Sequence, residues 1–183
     1  MTEFSRLLKH APYKLVTPNS IGLELEVEED GLSFTENAIK KAEAFAKASG
    51  LLSLADDSGI EVDAMDGRPG IYSARYGGLG LNDKDRVQLL LKELSSVPEK
   101  ERGCRYVAVL ALAMPEGCLK TFEGVCEGQV SLYPRGENGF GYDPIFYILE
   151  REITMAQAIP EIKDQLSHRG LATKKALHYL KVL

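Results

Sequence analysis

The stretch YVAVLALAM, residues 106–114, is apolar almost throughout and constrains the fold more than any other part of the chain. It falls well short of the ~20 apolar residues that a membrane-spanning helix needs. A short run of this kind is typical of a strand that is buried on both faces of a sheet. Gly117 then marks a turn that returns the chain into strands over 118–133. The stretch therefore predicts a central strand of a sheet.

The clearest helix signals enclose residues 34–49. Ser33 is a candidate N-cap, and Glu36, three residues later, completes a capping box. Gly50 stands where a glycine C-cap is expected. Apolar residues recur at helical spacing between these signals, namely Ala38, Ile39, Ala42, Phe45 and Ala46. The segment is therefore predicted to be an amphipathic helix with one buried stripe.

The remaining patterns mix helix and strand signals without a strict alternation. They predict an opening helix through Phe4 and Leu8, a half-buried strand at 21–27, a short strand at 51–55, a helix at 83–94 and a helix from Pro160 to about 181. Asp56 and Asp57 are expected to form a turn after the 51–55 strand, and 136–144 is expected to be a loop. This order is that of a mixed α/β fold, and residues 1–183 suit a single domain or two closely joined lobes.

Composition and charge argue against several classes of function. The chain has 44% hydrophobic and 27% charged residues, and its net charge of −5 comes without the basic block that nucleic acids attract. Cys104, Cys118 and Cys126 match no zinc spacing, and their odd number argues against a disulfide framework. The first residues, MTEFSRLLKH, lack the apolar core of a signal peptide. We therefore expect a cytoplasmic protein with neither a nucleic-acid nor a membrane partner.

Four groups of residues have side chains that suit chemistry, although each also has a structural explanation. Glu36 suits a capping box, which requires no function. The adjacent Asp56 and Asp57 suit a solvated turn or, alternatively, a divalent cation. Mg²⁺ is commonly held by one or two carboxylates together with water and substrate phosphates.

The third group lies in the loop GENGFGYDP, residues 136–144. Phe140 and Tyr142 either pack over an edge of the core or form an aromatic shelf on which a flat ring stacks. The fourth group comprises the donors in KDQLSHRG, residues 163–170, which either lie on an exposed helix face or form a compact cluster within two helical turns. These donors are Lys163, His168 and Arg169.

Taken together, the four groups supply what a nucleotide needs. Carboxylates suit a metal, an aromatic loop suits a base, and the donors suit its polar edge. The Walker-type phosphate loop GxxxxGK[ST] is absent from the sequence. Phosphates would therefore be held by a metal and by scattered side chains.

Four stretches carry a specific resemblance to one enzyme family, in its order and spacing. They are SFTENAIKKA (33–42), LADDSGIEVDAMDGRPGIYSARYGG (54–78), GENGFGYDPIF (136–146) and KDQLSHRGLA (163–172). On these stretches the chain resembles the inosine triphosphate pyrophosphatases, the Ham1-like dITP/XTP pyrophosphatases that hydrolyse non-standard purine nucleoside triphosphates. The resemblance covers most of the chain from about residue 20.

The resemblance implies a mixed α/β fold with two lobes around a long, twisted, mixed sheet and an active site in the cleft between the lobes. It implies cleavage of ITP, dITP or XTP to the monophosphate and pyrophosphate, with Mg²⁺ as the cofactor and a homodimer as the assembly. It also implies that Glu36 and Asp57 hold the metal and that Asp57 accepts the proton of the attacking water. The implied substrate-binding residues are Ser58, Phe140, Gly141, Tyr142, Asp143, Lys163, His168 and Arg169.

These implied roles agree with the chemistry of a 6-oxopurine, which presents an acceptor at O6. His168 or Arg169 can donate to this oxygen, whereas the amino group of adenine would leave such donors unpaired. Two further residues have open roles. Asp56 either lies near the metal or shapes the turn, and Arg75 either reaches the phosphates or anchors its loop by pairing with a carboxylate.

The chain departs from the family pattern at its start. The family begins with an apolar strand that ends in a Ser/Thr-x-Asn-x-x-Lys signature, and neither is found here; Asn19 lies too far along to replace that asparagine. Either the start codon has been placed too late, or the chain lacks the strand and binds phosphate weakly. Two other functions therefore stay open: a nucleotide-binding dimer without turnover, and a pyrophosphatase for pyrimidine or modified nucleotides.

Overall fold

Five strands form one sheet in the computed structural model, which describes residues 2–9 and 11–183. β2 is buried at every position from Tyr106 to Ala113, and it lies between β1 and β3 in the sheet. The prediction of a central strand at 106–114 is therefore confirmed. In chain order, which is also their order in the sheet, the strands are β1 (Ser53–Val62), β2 (Gly103–Met114), β3 (Gly117–Val130), β4 (Phe146–Ile148) and β5 (Ile153–Thr154).

The last three strands pair antiparallel. Gln129 of β3 lies opposite Tyr147 of β4, and Ile148 of β4 lies opposite Ile153 of β5. The mixed α/β class is confirmed. The short connection between β4 and β5 accounts for their direction, because a short turn joins antiparallel neighbours whereas parallel neighbours need a long crossover.

Five α-helices are found in the described residues. α2 begins as predicted, because Ser33 Oγ accepts a hydrogen bond from the Glu36 amide at 3.1 Å, and it ends at Gly50 with a φ of 69°. The predicted C-terminal helix is interrupted at Ser167, whose backbone is extended. No helix in the described part of the chain combines the length and the apolar character needed to cross a membrane. The helices are α1 (Thr2–Leu7), α2 (Phe34–Ser49), α3 (Asp83–Glu93), α4 (Pro160–Leu166) and α5 (His168–Leu180).

The predicted strand at 21–27 is wrong. The chain forms a 3-10 helix at Pro18–Ile21 and continues without regular structure to α2. Ile21 and Leu25 remain exposed at 44% and 39%. Alternating residues form a strand only where the backbone can pair with a neighbour, and none of the described strands pairs with this segment.

The predicted turn at Asp56 and Asp57 is also wrong, because both residues lie inside β1. Successive side chains of a strand point to opposite faces, so the two carboxylates diverge. Each carboxylate then meets its own cation: Asp56 pairs with Arg169 and Asp57 pairs with Lys41. The repulsion that favoured a turn is therefore relieved without one.

The chain divides into two compact units, each with its own core. Unit 1 contains the residues up to Asp57 together with Ala108–Gly124 and His168–Leu183, and unit 2 contains Ser58–Val107 and Val125–Ser167. Leu110, Leu112, Ala172 and Ala176 belong to the core of unit 1. Ile60, Leu90, Ile145 and Phe146 belong to the core of unit 2. The assignment of 1–183 to a single domain stays a prediction.

All three cysteines are free thiols. Cys104 and Cys126 are buried, whereas Cys118 is half-buried. Burial raises the pKa of Cys126 to about 11, and it raises the pKa of Cys104 further. The two buried thiols are therefore protonated at neutral pH and act as small apolar side chains.

Candidate active site

Asp57 is the centre of a polar cluster in unit 1. The residue lies at the middle of β1 and is 7% exposed. Oδ2 accepts a hydrogen bond from Asn37 Nδ2 at 3.1 Å, and Oδ1 accepts one from Lys41 Nζ at 3.1 Å. Burial raises the pKa of this carboxyl above its ordinary value, while Lys41 and Asn37 oppose the shift. The result is a more basic carboxylate than an exposed aspartate.

Helix α2 provides both partners of Asp57. Asn37 and Lys41 are one helical turn apart and therefore lie on the same face. Asn37 is fully buried, and its Oδ1 accepts from the Gly31 amide at 2.8 Å. Lys41 Nζ also contacts Glu29 Oε1 at 2.6 Å. We call Glu29, Asn37, Lys41 and Asp57 the Asp57 cluster.

Glu36 lies beside this cluster at the first turn of α2. It is exposed, and its Oε2 accepts from the Leu32 amide at 2.8 Å. The predicted capping box is therefore only half correct: Ser33 caps the Glu36 amide, but Glu36 bonds to the residue before the cap. An acidic group at this end of a helix is favoured by the helix dipole.

Asp56 and Arg169 form an ion pair in unit 1. Arg169 Nε donates to Asp56 Oδ2 at 2.8 Å, and Arg169 Nη1 lies 3.8 Å from Glu3 Oε2. His168, the first residue of α5, is 5% exposed. The single helix predicted across these donors is interrupted at Ser167, and Lys163 and His168 are buried rather than on an exposed helix face. The compact donor cluster stays a prediction.

Asp143 is the centre of a second polar cluster, in unit 2. It is 2% exposed, and three described donors bind its carboxylate. Lys163 Nζ lies 2.5 Å from Oδ2, and the Phe140 amide lies 3.0 Å from the same oxygen. The hydroxyl of Tyr106 donates to Oδ1 at 3.2 Å. We call Tyr106, Phe140, Asp143 and Lys163 the Asp143 cluster.

Phe140 and Lys163 lie against each other in this cluster. Lys163 Nζ is 4.6 Å from the centre of the Phe140 ring, a cation–π distance. Lys163 is 7% exposed, whereas Phe140 is 50% exposed. The aromatic shelf predicted for a flat ring is therefore consistent with Phe140.

Tyr142, unlike Phe140, is buried. It is 4% exposed within the core of unit 2, and its hydroxyl donates to the Ser73 carbonyl at 3.0 Å. Its structural alternative, packing at the core, is therefore correct. Gly141 precedes it with a φ of 58°, and its amide donates to Asp83 Oδ2 at 2.8 Å.

Two other predicted residues have different surroundings. Arg75, in a 3-10 helix at Gly70–Arg75, places its guanidinium 5.1 Å from the centre of the Tyr72 ring. Ser58 is half-buried in β1, directly after Asp57. Their contacts with a substrate stay predictions.

Comparison with known proteins identifies the family. The model of the Ham1 family matches residues 1–179. The chain belongs to the Ham1 family. The dITP/XTP pyrophosphatase of Desulforamulus reducens is 47% identical over 178 residues, which are 97% of this chain and 89% of that protein. The dITP/XTP pyrophosphatase of Bacillus subtilis is 43% identical over 173 residues, 94% of this chain and 87% of that protein.

Solved structures of Ham1 proteins have the same fold. The HAM1 protein from Coxiella burnetii has a TM-score of 0.91 at 37% identity, covering 100% of this chain and 93% of that chain. The Staphylococcus aureus Ham1 protein has a TM-score of 0.87 at 40% identity, and the match covers 99% of this chain and 92% of that chain. The prediction of a Ham1-like fold is therefore confirmed, whereas an active site between two lobes stays a prediction.

The carboxylates of this Ham1 family member suit a metal that arrives with its substrate. No group of three or more His, Cys, Asp or Glu side chains is arranged to hold a metal within the described residues. Mg²⁺ is often bound by only one or two carboxylates, with water and phosphate oxygens in its other positions. The exposed Glu36 and the buried Asp57 would supply these two carboxylates.

Three members of the Asp57 cluster (Glu29, Asn37 and Lys41) and one member of the Asp143 cluster (Tyr106) are absent from the sequence-based predictions. Asn37 and Lys41 flank the buried stripe of α2 one turn apart, which is a signal that polar side chains there face the interior. Tyr106 carries a hydroxyl within an apolar strand, and a buried hydroxyl needs a partner. Neither signal identifies the partner, which lies far along the chain.

Proposed function

We propose that the chain is a nucleoside triphosphate pyrophosphatase that hydrolyses ITP, dITP and XTP to the monophosphate and pyrophosphate. Membership of the Ham1 family and relatives named dITP/XTP pyrophosphatase support this activity. The observation in the structure that supports it best is Asp57, a buried carboxylate with a raised pKa and two fixed donors. Clearance of deaminated purines from the nucleotide pool would be its role.

The proposed reaction is attack of water on the α-phosphorus. The water oxygen forms a bond to phosphorus, the bond from phosphorus to the α–β bridging oxygen breaks, and pyrophosphate leaves. Asp57 accepts the proton of the water, and its raised pKa makes it a better base at neutral pH. Asn37 and Lys41 hold its carboxylate in one orientation.

We propose Mg²⁺ as the cofactor, with Glu36 and Asp57 as the protein ligands. The ion, when bound, would neutralise charge on the phosphate oxygens. Asp56 contributes indirectly, because its described contact is with Arg169.

The proposed base site uses the Asp143 cluster. The exposed ring of Phe140 would stack on the purine, and Lys163 would be held beside it by Asp143. His168 and Arg169 are the proposed donors to O6, in agreement with the resemblance. A site that offers donors to O6 rejects adenine, whose amino group would leave them unpaired.

A homodimer in the cytoplasm completes the proposal. The dimer rests on the family resemblance, and the cytoplasm agrees with three free thiols. Light scattering of the purified protein would measure the mass, and a monomer at micromolar concentration would contradict the dimer.

The experiment that tests the function is pyrophosphate release from ITP, dITP and XTP in the presence of Mg²⁺, with ATP, GTP and CTP as comparisons. Fast release from ITP and slow release from ATP are expected. Stabilisation of the fold by ITP without pyrophosphate release would favour a binding protein instead. Faster release from CTP than from ITP would favour a pyrimidine pyrophosphatase.

A further inference from the structure

Tyr106 packs through its ring, and packing does not account for its hydroxyl. The residue lies in β2 and is 6% exposed. Its ring stacks on Phe146, with ring centres 4.3 Å apart and an interplanar angle of 21°. A phenylalanine would provide the same stacking. The hydroxyl, which reaches Asp143 Oδ1 at 3.2 Å, therefore has a purpose other than packing.

The carboxylate of Asp143 is engaged on both of its oxygens. Oδ2 binds the ammonium of Lys163 and the amide of Phe140, and Oδ1 binds the hydroxyl of Tyr106. With 2% of the residue exposed, solvent has little access to replace a lost donor. A buried carboxylate oxygen that loses its donor is costly, so the group would move toward another partner.

We propose that Tyr106 is a positioning residue of the base site and acts through Asp143. The hydroxyl holds Oδ1, and Asp143 thereby keeps Oδ2 directed at Lys163 and at the backbone of Phe140. Lys163 in turn lies over the ring of Phe140. This inference rests on the proposed function, because it assigns Phe140 and Lys163 to recognition of the purine.

The state of the hydroxyl supports this role. Burial, followed by the nearby charge of Asp143, raises the pKa of Tyr106 well above its ordinary value. The phenol therefore keeps its proton over the whole pH range of an enzyme assay. It remains a hydrogen-bond donor wherever Asp143 is ionised.

The test is Tyr106→Phe, which removes the hydroxyl and keeps the ring. The matched control is Tyr76→Phe, because Tyr76 also donates to a carboxylate, Glu93 Oε1 at 2.7 Å, in unit 2 but outside the base site. For Tyr106→Phe, KM for ITP should rise about tenfold while kcat changes by less than about twofold. The ITP-to-ATP ratio of kcat/KM should fall, and the control should keep both values.

The comparison with Asp143→Asn separates positioning from stability. If Tyr106 acts through Asp143, then Tyr106→Phe should add no further rise in KM to a protein that already carries Asp143→Asn. An unchanged KM in Tyr106→Phe, the same rise in Tyr76→Phe, or additive effects in the double variant would each overturn the inference. Thermal unfolding of each variant would show whether lost stability explains a change.

A binding measurement keeps this inference distinct from the proposed function. The Kd for ITP is measured by calorimetry in EDTA, where no turnover is required. A weaker Kd in Tyr106→Phe together with an inactive wild-type protein would support the role of Tyr106 and contradict the proposed pyrophosphatase. A wild-type protein that neither binds ITP in EDTA nor releases pyrophosphate from it with Mg²⁺ would contradict both.

Discussion

Asp57 and Asp143 are both buried aspartates, but their surroundings differ in a way that separates their roles. Asp57 has one amide and one ammonium as its described donors, and the ammonium of Lys41 is shared with Glu29. Asp143 has three described donors, one of which is the ammonium of Lys163 at Oδ2. The first carboxylate is held and yet more basic than usual, which suits proton transfer. The second binds three donors from neighbouring residues, which suits the positioning of those residues.

The largest expected effect tests the role of Asp57 as the proton acceptor. Asp57→Asn keeps the shape of the side chain but removes its basicity, so kcat for ITP should fall by about 10²–10⁴-fold. ITP binding should persist. Asp66→Asn is the control, because Asp66 is exposed in a turn with a φ of 54°, where asparagine is well tolerated. A loss of less than about threefold in Asp57→Asn would remove Asp57 from the reaction.

The second prediction concerns the loop that packs on Asp143. Gly139 has a φ of 80°, and a methyl group there would overlap Asp143 Oδ2 and approach Lys163. Gly139→Ala should therefore raise KM for ITP by about tenfold. Gly67→Ala is the control, since Gly67 has the same φ but nothing within 4 Å of the added carbon. If both variants raise KM equally, the effect comes from backbone strain and not from displacement of Asp143.

The third prediction uses pH to test the basicity of Asp57. Lys41 opposes the rise in the pKa of Asp57, so Lys41→Met should raise that pKa further. Asp57 accepts a proton only when it is ionised. As the pH is lowered, kcat/KM of Lys41→Met should therefore begin to fall at a higher pH than kcat/KM of the wild type. The loss should be larger at about pH 6 than at about pH 8.

The adjacent lysine provides the control for this pH profile. Lys40 lies on the same helix and pairs with Asp30 at the exposed surface. Lys40→Met should leave the acidic limb of kcat/KM where it is in the wild type. A pH profile for Lys41→Met that is parallel to the wild-type profile would show that Lys41 does not tune Asp57.

The smallest expected effect distinguishes the two aromatic residues of the Gly-rich loop. Tyr142→Phe removes a hydrogen bond to Ser73 within the core, so the free energy of unfolding should fall by about 0.5–1.5 kcal/mol while KM for ITP is unchanged. Phe140→Leu should instead raise KM with little change in stability, because the ring is half exposed. A raised KM in Tyr142→Phe would indicate that Tyr142 contacts the substrate together with Phe140.

Local patterns predicted the elements that depend on nearby residues. α2 begins at the predicted cap and ends at the predicted glycine because cap chemistry and apolar spacing act within a few turns. β2 is buried as its apolar run requires. The prediction of a strand at 21–27 was wrong because a strand depends on a distant neighbour. Alternation of apolar residues describes a side-chain pattern, but it does not supply the strand with which the backbone must pair.

The amino-acid sequence by itself determined the family motifs, the residue types of both clusters and the elements that carry them. Only the tertiary structure decided which side chains meet. Asp56 pairs with Arg169 across 113 positions, and Tyr106 reaches Asp143 across 37. Such pairs depend on how strands and helices pack, and the spacing of apolar residues within one segment does not predict that packing. The physical reason that Asp57 and Asp143 differ is therefore found in their distant partners and not in the residues beside them.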